Sequence, residues 1–141
     1  MDGREIVLRL DLSKLDTSDI EGEPLVDARY VVRTYFERLL NQKDPSVCDE
    51  RLASDYVDHD APASMPSGPQ STIDCMRNLF EDRPDYSVII HDLLVEGKRA
   101  ALRMEWSWTD RDTGEPHTMD GNVILHLNDR LQFTERWSFY E

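Results

Sequence analysis

The side chains of this 141-residue chain best suited to moving protons are its histidines and the carboxylates around them. His59 stands between Asp58 and Asp60. Imidazole changes protonation near neutrality, the range that general acid–base chemistry uses. Strand alternation would put Val57 and His59 on one face and Tyr56, Asp58 and Asp60 on the other. With Val57 toward the core, His59 would line a cavity, with Asp58 beside it to tune or replace it. His126 shares a face with Ile124 and Asn122, and Asp120 is a distant carboxylate further along. Glu135 is read between Phe133 and Trp137 on one face. There it is either exposed at the rim or held by a partner such as Arg103 or Arg136; buried without one, its pKa would rise and it could serve as a base. His91 alternates with Ile89 and Leu93 and reads as a hydrogen-bonded structural residue. His117 falls in a turn-rich, solvent-facing stretch.

A second set of residues would grip a ligand. Tyr35, Phe36, Tyr56, Met104, Trp106, Trp108 and Trp137 either fill the core or stack on a flat apolar molecule. No spacing of His, Cys, Asp and Glu reads as a metal site. There is no glycine-rich phosphate loop and no nucleophile with an evident histidine partner.

Composition narrows the partners. A net charge of −13 and a pI near 4.6 argue against a nucleic-acid groove and against docking on anionic lipid. No apolar run approaches the roughly 20 residues that span a bilayer. The start, Met1 to Glu5, lacks the basic-then-apolar plan of a signal peptide. Cys48 and Cys75 fall in different expected helices and read as reduced core residues. These features make the cytoplasm the default compartment.

The elements that must position these residues follow from periodicity. Ile6, Leu8, Leu10 and Leu12 alternate with polar residues, the mark of a half-buried strand, so residues 1–22 read as an extension carrying one strand. A helix is expected from Pro24 to Leu40, its stripe built from Ala28, Val31, Val32, Tyr35, Phe36, Leu39 and Leu40, with Asn41 as the stop. Asp44-Pro45 opens a short second helix carrying Val47, Cys48 and Leu52. Ser67-Gly68-Pro69 opens a third, with Ile73, Met76, Leu79 and Phe80 inward and Pro84 as its stop. The period then drops to two. Strands are expected over 86–95, 100–108, 119–127 and 131–140, with turns at Glu96-Gly97, across 110–116 and at Asn128-Asp129. Helices first and a strand meander after define an α+β domain over 23–141: a curved antiparallel sheet covered by about three helices, with an extra N-terminal strand.

With these residues in this order, the chain resembles the SnoaL-like family of small polyketide cyclases. That family is a branch of the cone-shaped superfamily of nuclear transport factor two and ketosteroid isomerase. The likeness rests on Asp55-Tyr56-Val57-Asp58-His59-Asp60-Ala61-Pro62, on Ser67-Gly68-Pro69, on Pro84-Asp85-Tyr86-Ser87-Val88 with Leu94-Val95-Glu96-Gly97, and on Glu135-Arg136-Trp137. It covers about residues 25 to 141. It implies a closed pocket between the sheet's concave face and the helices, no cofactor, and dimers formed through the sheet. It also exposes a departure. The family's acid/base aspartate follows the Glu-x-Trp stretch, where this chain has Ser138; the family's assisting histidine falls near Ile124 to His126.

The expected function is therefore a cofactor-free cyclase or isomerase acting on a hydrophobic polyketide-type intermediate by positioning and acid–base catalysis. His59, Asp58 and His126 are the candidate catalytic residues. Tyr35, Tyr56, Met104, Trp106, Trp137 and Glu135 are the candidate pocket residues, and the expected partner is a second copy of the chain. The alternative is a non-catalytic ligand-binding or dimeric structural protein on the same fold.

Overall fold

A computed structural model describes residues 27–141. The strand expected over Ile6–Leu12 and the helix start expected at Pro24 lie outside this range. The first described helix, α1 (Ala28–Phe36), is capped by Asp27, whose carboxylate accepts from the Tyr30 N–H at 2.9 Å. That accounts for one of the orphan donors of a first turn. The same apolar stripe then continues through one π-helical turn, Glu37–Asn41. Asn41 does more than stop it. Its side-chain amide pairs with both backbone groups of Val88, donating to the carbonyl at 3.1 Å and accepting from the N–H at 2.9 Å. The helix end is thereby tied to a sheet edge.

Helix α2 (Ser46–Arg51) is short, and Leu52, expected on it, instead begins strand β1 (Leu52–Asp58). Helix α3 (Pro69–Asp82) starts at Pro69, as Pro-at-N1 chemistry predicts. Gly68 before it has φ +96° and donates to the Tyr56 carbonyl at 2.9 Å, and a Cβ there would sit 3.1 Å from the Ser54 carbonyl oxygen. Glycine meets both demands without strain.

Strands β2 (Ser87–Glu96), β3 (Arg99–Thr109), β4 (Pro116–Leu127) and β5 (Phe133–Tyr140) form the antiparallel meander. The sheet order is β1-β5-β4-β3-β2, and β1 joins parallel to β5, so one edge departs from the all-antiparallel expectation. The sheet is curved and unclosed. Its inner face is a lattice of apolar rows. Ala100, Leu102, Met104 and Trp106 of β3 lie beside Val123, Leu125 and Leu127 of β4, all packed under Val31, Val32, Tyr35, Phe36, Leu39 and Leu40. Burial of these rows is the main force holding helices to sheet.

Two one-residue bulges decide which face several side chains occupy. On β2, Ile90 pairs with Met104 but Asp92 pairs with Arg103, so His91 is extra. On β5, Phe133 pairs with Leu127 but Glu135 pairs with His126, so Thr134 is extra. Each insertion reverses the alternation beyond it. Thus Leu93 is buried while Ile89 is exposed, and His91 turns outward to donate to Glu105 at 2.9 Å. Phe133 is buried, whereas Glu135 and Trp137, expected on its face, stand on the opposite one. His117 lies on β4 rather than in a loop, exposed and stacked on Trp108.

Both cysteines are free, but only Cys48 is in the core. Cys75 is exposed, because it lies off the Ile73, Met76, Leu79 and Phe80 stripe that faces the sheet. No described helix is long and apolar enough to cross a membrane.

Candidate active site

Strand β1 reaches β5 with its alternation set by Tyr56, which is buried, and Val57, which is half exposed. This is the reverse of the orientation that would have put His59 inside with Val57. His59 therefore leaves the sheet on the outward side, its backbone N–H donating to the Arg136 carbonyl at 2.9 Å. Its imidazole lies flat on the Trp137 indole, with ring centroids 4.5 Å apart and planes within 8°. Nε2 donates to Glu135 Oε2 at 3.0 Å. The other carboxylate oxygen of Glu135 is 3.4 Å from His126 Nδ1, and the His126 ring meets the edge of Trp137 at 4.7 Å. One carboxylate thus holds two imidazoles around one indole. The hydrogen bond from His59, reinforced by His126, holds the Glu135 pKa below the usual glutamate value. The partners expected for Glu135, Arg103 and Arg136, are not its partners: Arg103 donates to Asp92 at 2.7 Å, and Arg136 points to the other face.

His59 has a second neighbourhood. With Asp58 and Tyr56 it lines a cavity of about 260 Å³ at the rim of the cone, closed by the 61–68 loop and the Ser71 and Thr72 side of α3. The loop is held at both ends. Before it, Asp58 accepts from the Asp60 N–H at 3.0 Å and the Asp60 carboxylate accepts from the Ser138 N–H. At its far end, the Gly68 N–H donates to the Tyr56 carbonyl and Ser71 Oγ to the Pro66 carbonyl, both at 2.9 Å. Burial pushes the Tyr56 phenol up to about 12, so it enters any chemistry as a neutral donor.

Deeper under the helices, and sharing Thr72 as a wall, lies a smaller cavity of about 80 Å³. Phe36, Leu39, Leu40, Met76, Trp106 and Tyr140 enclose it, and Arg136 supplies its charge. Arg136 Nε donates to Ser138 Oγ at 2.9 Å. On the inward side of the last strand the polar pair is therefore a guanidinium, which lines this cavity, and the buried hydroxyl that holds it.

Of the residues singled out from the sequence, Asp58, His59 and Tyr56 meet at the rim cavity, and Trp106 lines the inner one. Glu135, His126 and Trp137 join His59 from the outward face. Tyr35 and Met104 are packed solid in the core; Tyr35 meets Phe133 and Phe36 edge-on, and its hydroxyl is 3.9 Å from Cys48 Sγ. The sequence pattern offers Arg136 only as a partner for Glu135. The signal that places it inside is the Thr134 bulge, which periodicity does not announce. Among the described residues, no group of three or more His, Cys, Asp or Glu side chains is arranged to hold a metal ion.

These features define a helix-covered, open α+β cone, and comparison with known proteins gives it a family. Residues 32–134 match the model of the SnoaL-like domain, so the chain belongs to the SnoaL-like family. Solved structures of the same fold include TsrD from Streptomyces laurentii (21% identity over 84% of this chain and 92% of that one, TM-score 0.73). Another is IdmH, a proposed polyketide cyclase from Streptomyces antibioticus (19%, 82% and 93%, TM-score 0.71). A third is a proposed polyketide cyclase from Bacillus cereus (21%, 81% and 74%, TM-score 0.69). A search of curated protein sequences gave no match.

Proposed function

We propose that this chain is a cofactor-free cyclase or isomerase acting on a small hydrophobic, carbonyl-bearing molecule of the polyketide type. The observation that carries this reading is the double placement of His59, which lines the rim cavity and is oriented from behind by Glu135 at 3.0 Å. With Nε2 committed to Glu135, Nδ1 is the ring nitrogen left to take a proton. A proton leaves the carbon next to a substrate carbonyl for Nδ1. The resulting enolate carbon attacks a second carbonyl, forming the new carbon–carbon bond. The imidazolium, stabilised by the Glu135 carboxylate, returns the proton to the new alkoxide. Asp58 serves as tuning or substitute base, and His126 shares the Glu135 carboxylate. The cavity walls hold a flexible substrate bent, and such orientation is worth roughly 7–11 kcal/mol of barrier.

The names of the structural neighbours favour the polyketide class, and the aromatic lining by Tyr56 and Trp106 suits a flat apolar substrate. Free thiols at Cys48 and Cys75 suit a reducing compartment such as the cytoplasm. The outward sheet face carries Leu94, 70% exposed, and Phe139, 57% exposed, a surface suited to a homodimer. A second reading, ligand binding without chemistry, draws on Ser138 in place of a family aspartate.

The deciding experiment measures ring closure of a panel of poly-β-keto thioesters, together with binding of the same panel. His59→Ala is expected to lower turnover at least tenfold while binding and the melting temperature hold. Binding without turnover in the unaltered protein, or turnover indifferent to His59, overturns the catalytic assignment.

A further inference from the structure

The inner cavity contains a charge that the proposed proton transfer does not use. Arg136 reaches it because the Thr134 bulge turns Arg136 and Ser138 under the helices. Its Nε is committed to Ser138 Oγ, which fixes the guanidinium plane. The phenols of Tyr56, Tyr140 and Tyr35 surround it, with Asp58 further off, and the Phe36 ring lies 5.8 Å below its carbon. Among the described residues no carboxylate comes within ion-pair distance of it, while Arg38 and Arg103 are both paired with acids. A guanidinium cannot shed its proton to escape an apolar site, and aromatic faces compensate only part of its lost hydration.

We infer that Arg136 anchors an oxyanion: the inner cavity takes the carboxylate or enolate oxygen of a substrate whose apolar body occupies the rim cavity. The inference rests on the reading that substrate binds in these two neighbouring cavities, which share Thr72 as a wall. Size supports it. A space of about 80 Å³ holds a few heavy atoms, room for a carboxylate but not for a ring, whereas the 260 Å³ space beside it holds a ring. The chemistry supports it too, since the guanidinium fork matches two oxygens in one plane and charge-assisted bonds are the strong ones. In the proposed ring closure, an enolate oxygen placed here would be stabilised as its charge develops.

The test titrates the intact protein, by calorimetry, with 2-naphthoic acid, 2-naphthamide and 6-cyano-2-naphthol. The last ligand, followed across pH, reports a naphtholate that mimics an enolate. The acid or the naphtholate is expected to bind at least tenfold tighter than the amide. Preference for the acid identifies a permanent carboxylate, and preference for the naphtholate alone identifies an enolate oxygen. Arg136→Gln should erase the preference, and Arg136→Lys, which keeps the charge without the fork, should retain part of it. Equal binding of all three ligands, no binding of any, or a preference that survives in folded Arg136→Gln overturns the inference. If the glutamine variant does not fold, the wild-type ratio and the lysine variant decide. His59→Ala should keep the oxyanion preference while losing turnover, so failure of the anchor and failure of the proton-transfer reading give different results.

Discussion

The two faces of the sheet solve opposite problems with the same strands. The inner face is apolar row against apolar row, and its one guanidinium sits in a cavity too small for a whole ligand. The outer face is a checkerboard of ion pairs and imidazoles, including His91 with Glu105, Arg103 with Asp92, and Glu135 with two histidines. Most titratable groups of the sheet stand where water can solvate them, while the inner face is given over to apolar packing. The faces meet at one place, the end of β1, where Tyr56 turns in and His59 turns out while both still line the rim cavity. Acid–base chemistry on an apolar molecule is expected at such a seam.

The contrast can be broken most sharply with paired phenylalanines. Phe133 is fully buried against Tyr35, with ring centroids at 4.8 Å, so Phe133→Ala should cost about 3–5 kcal/mol in denaturant unfolding. Phe139, half a strand away but outward, should cost under about 1 kcal/mol when truncated, with a loss that grows with protein concentration if a dimer covers it. Equal, concentration-independent losses would erase the distinction between the faces.

A smaller effect tests how tightly the inner face closes. Gly121 lies where β4 passes β5, and a Cβ there would sit 2.5 Å from the Phe139 carbonyl oxygen and 2.9 Å from the Trp106 ring. Gly121→Ala should destabilise by roughly 1–3 kcal/mol, because backbone cannot yield as a side-chain tip can. A melting temperature unchanged within error would show that β5 and Trp106 do not close on Gly121 this tightly.

The outer cluster should show itself in acid. The folded state holds Glu135 below its ordinary pKa, chiefly through His59, so on acidification the unfolded chain takes up that proton first. The stability contributed is complete above the ordinary glutamate range and drains away as pH falls through the lowered value. Glu135→Gln should therefore flatten part of the fall in unfolding midpoint below about pH 4.5, the ordinary glutamate value. Superimposable acid limbs for the two proteins would mean that the pair with His59 does not form in solution.

Much of this molecule was legible in periodicity. The shift from a 3.6-residue to a two-residue repeat after Pro84 located the helices and the meander to within a few residues. Gly68-Pro69 marked α3, and the stripe from Ala28 to Leu40 named the residues that seal the cone. The match over 32–134 takes in the likeness read from Asp55 to Pro62 and stops just short of Glu135-Arg136-Trp137. What misled was parity. Reading Phe133, Glu135 and Trp137 as one face, or His91 with Leu93, assumes an unbroken alternation.

Residue type and spacing by themselves determined the elements, their order and the apolar surface to be buried, because burial of a stripe or an alternating row depends on local period. Only the assembled sheet decided which side of it Glu135, Arg136 and His59 would occupy. A bulge is set by how one strand registers on its neighbour. Thr134 is unremarkable along the chain and becomes decisive only when Phe133 is opposite Leu127 and Glu135 is opposite His126.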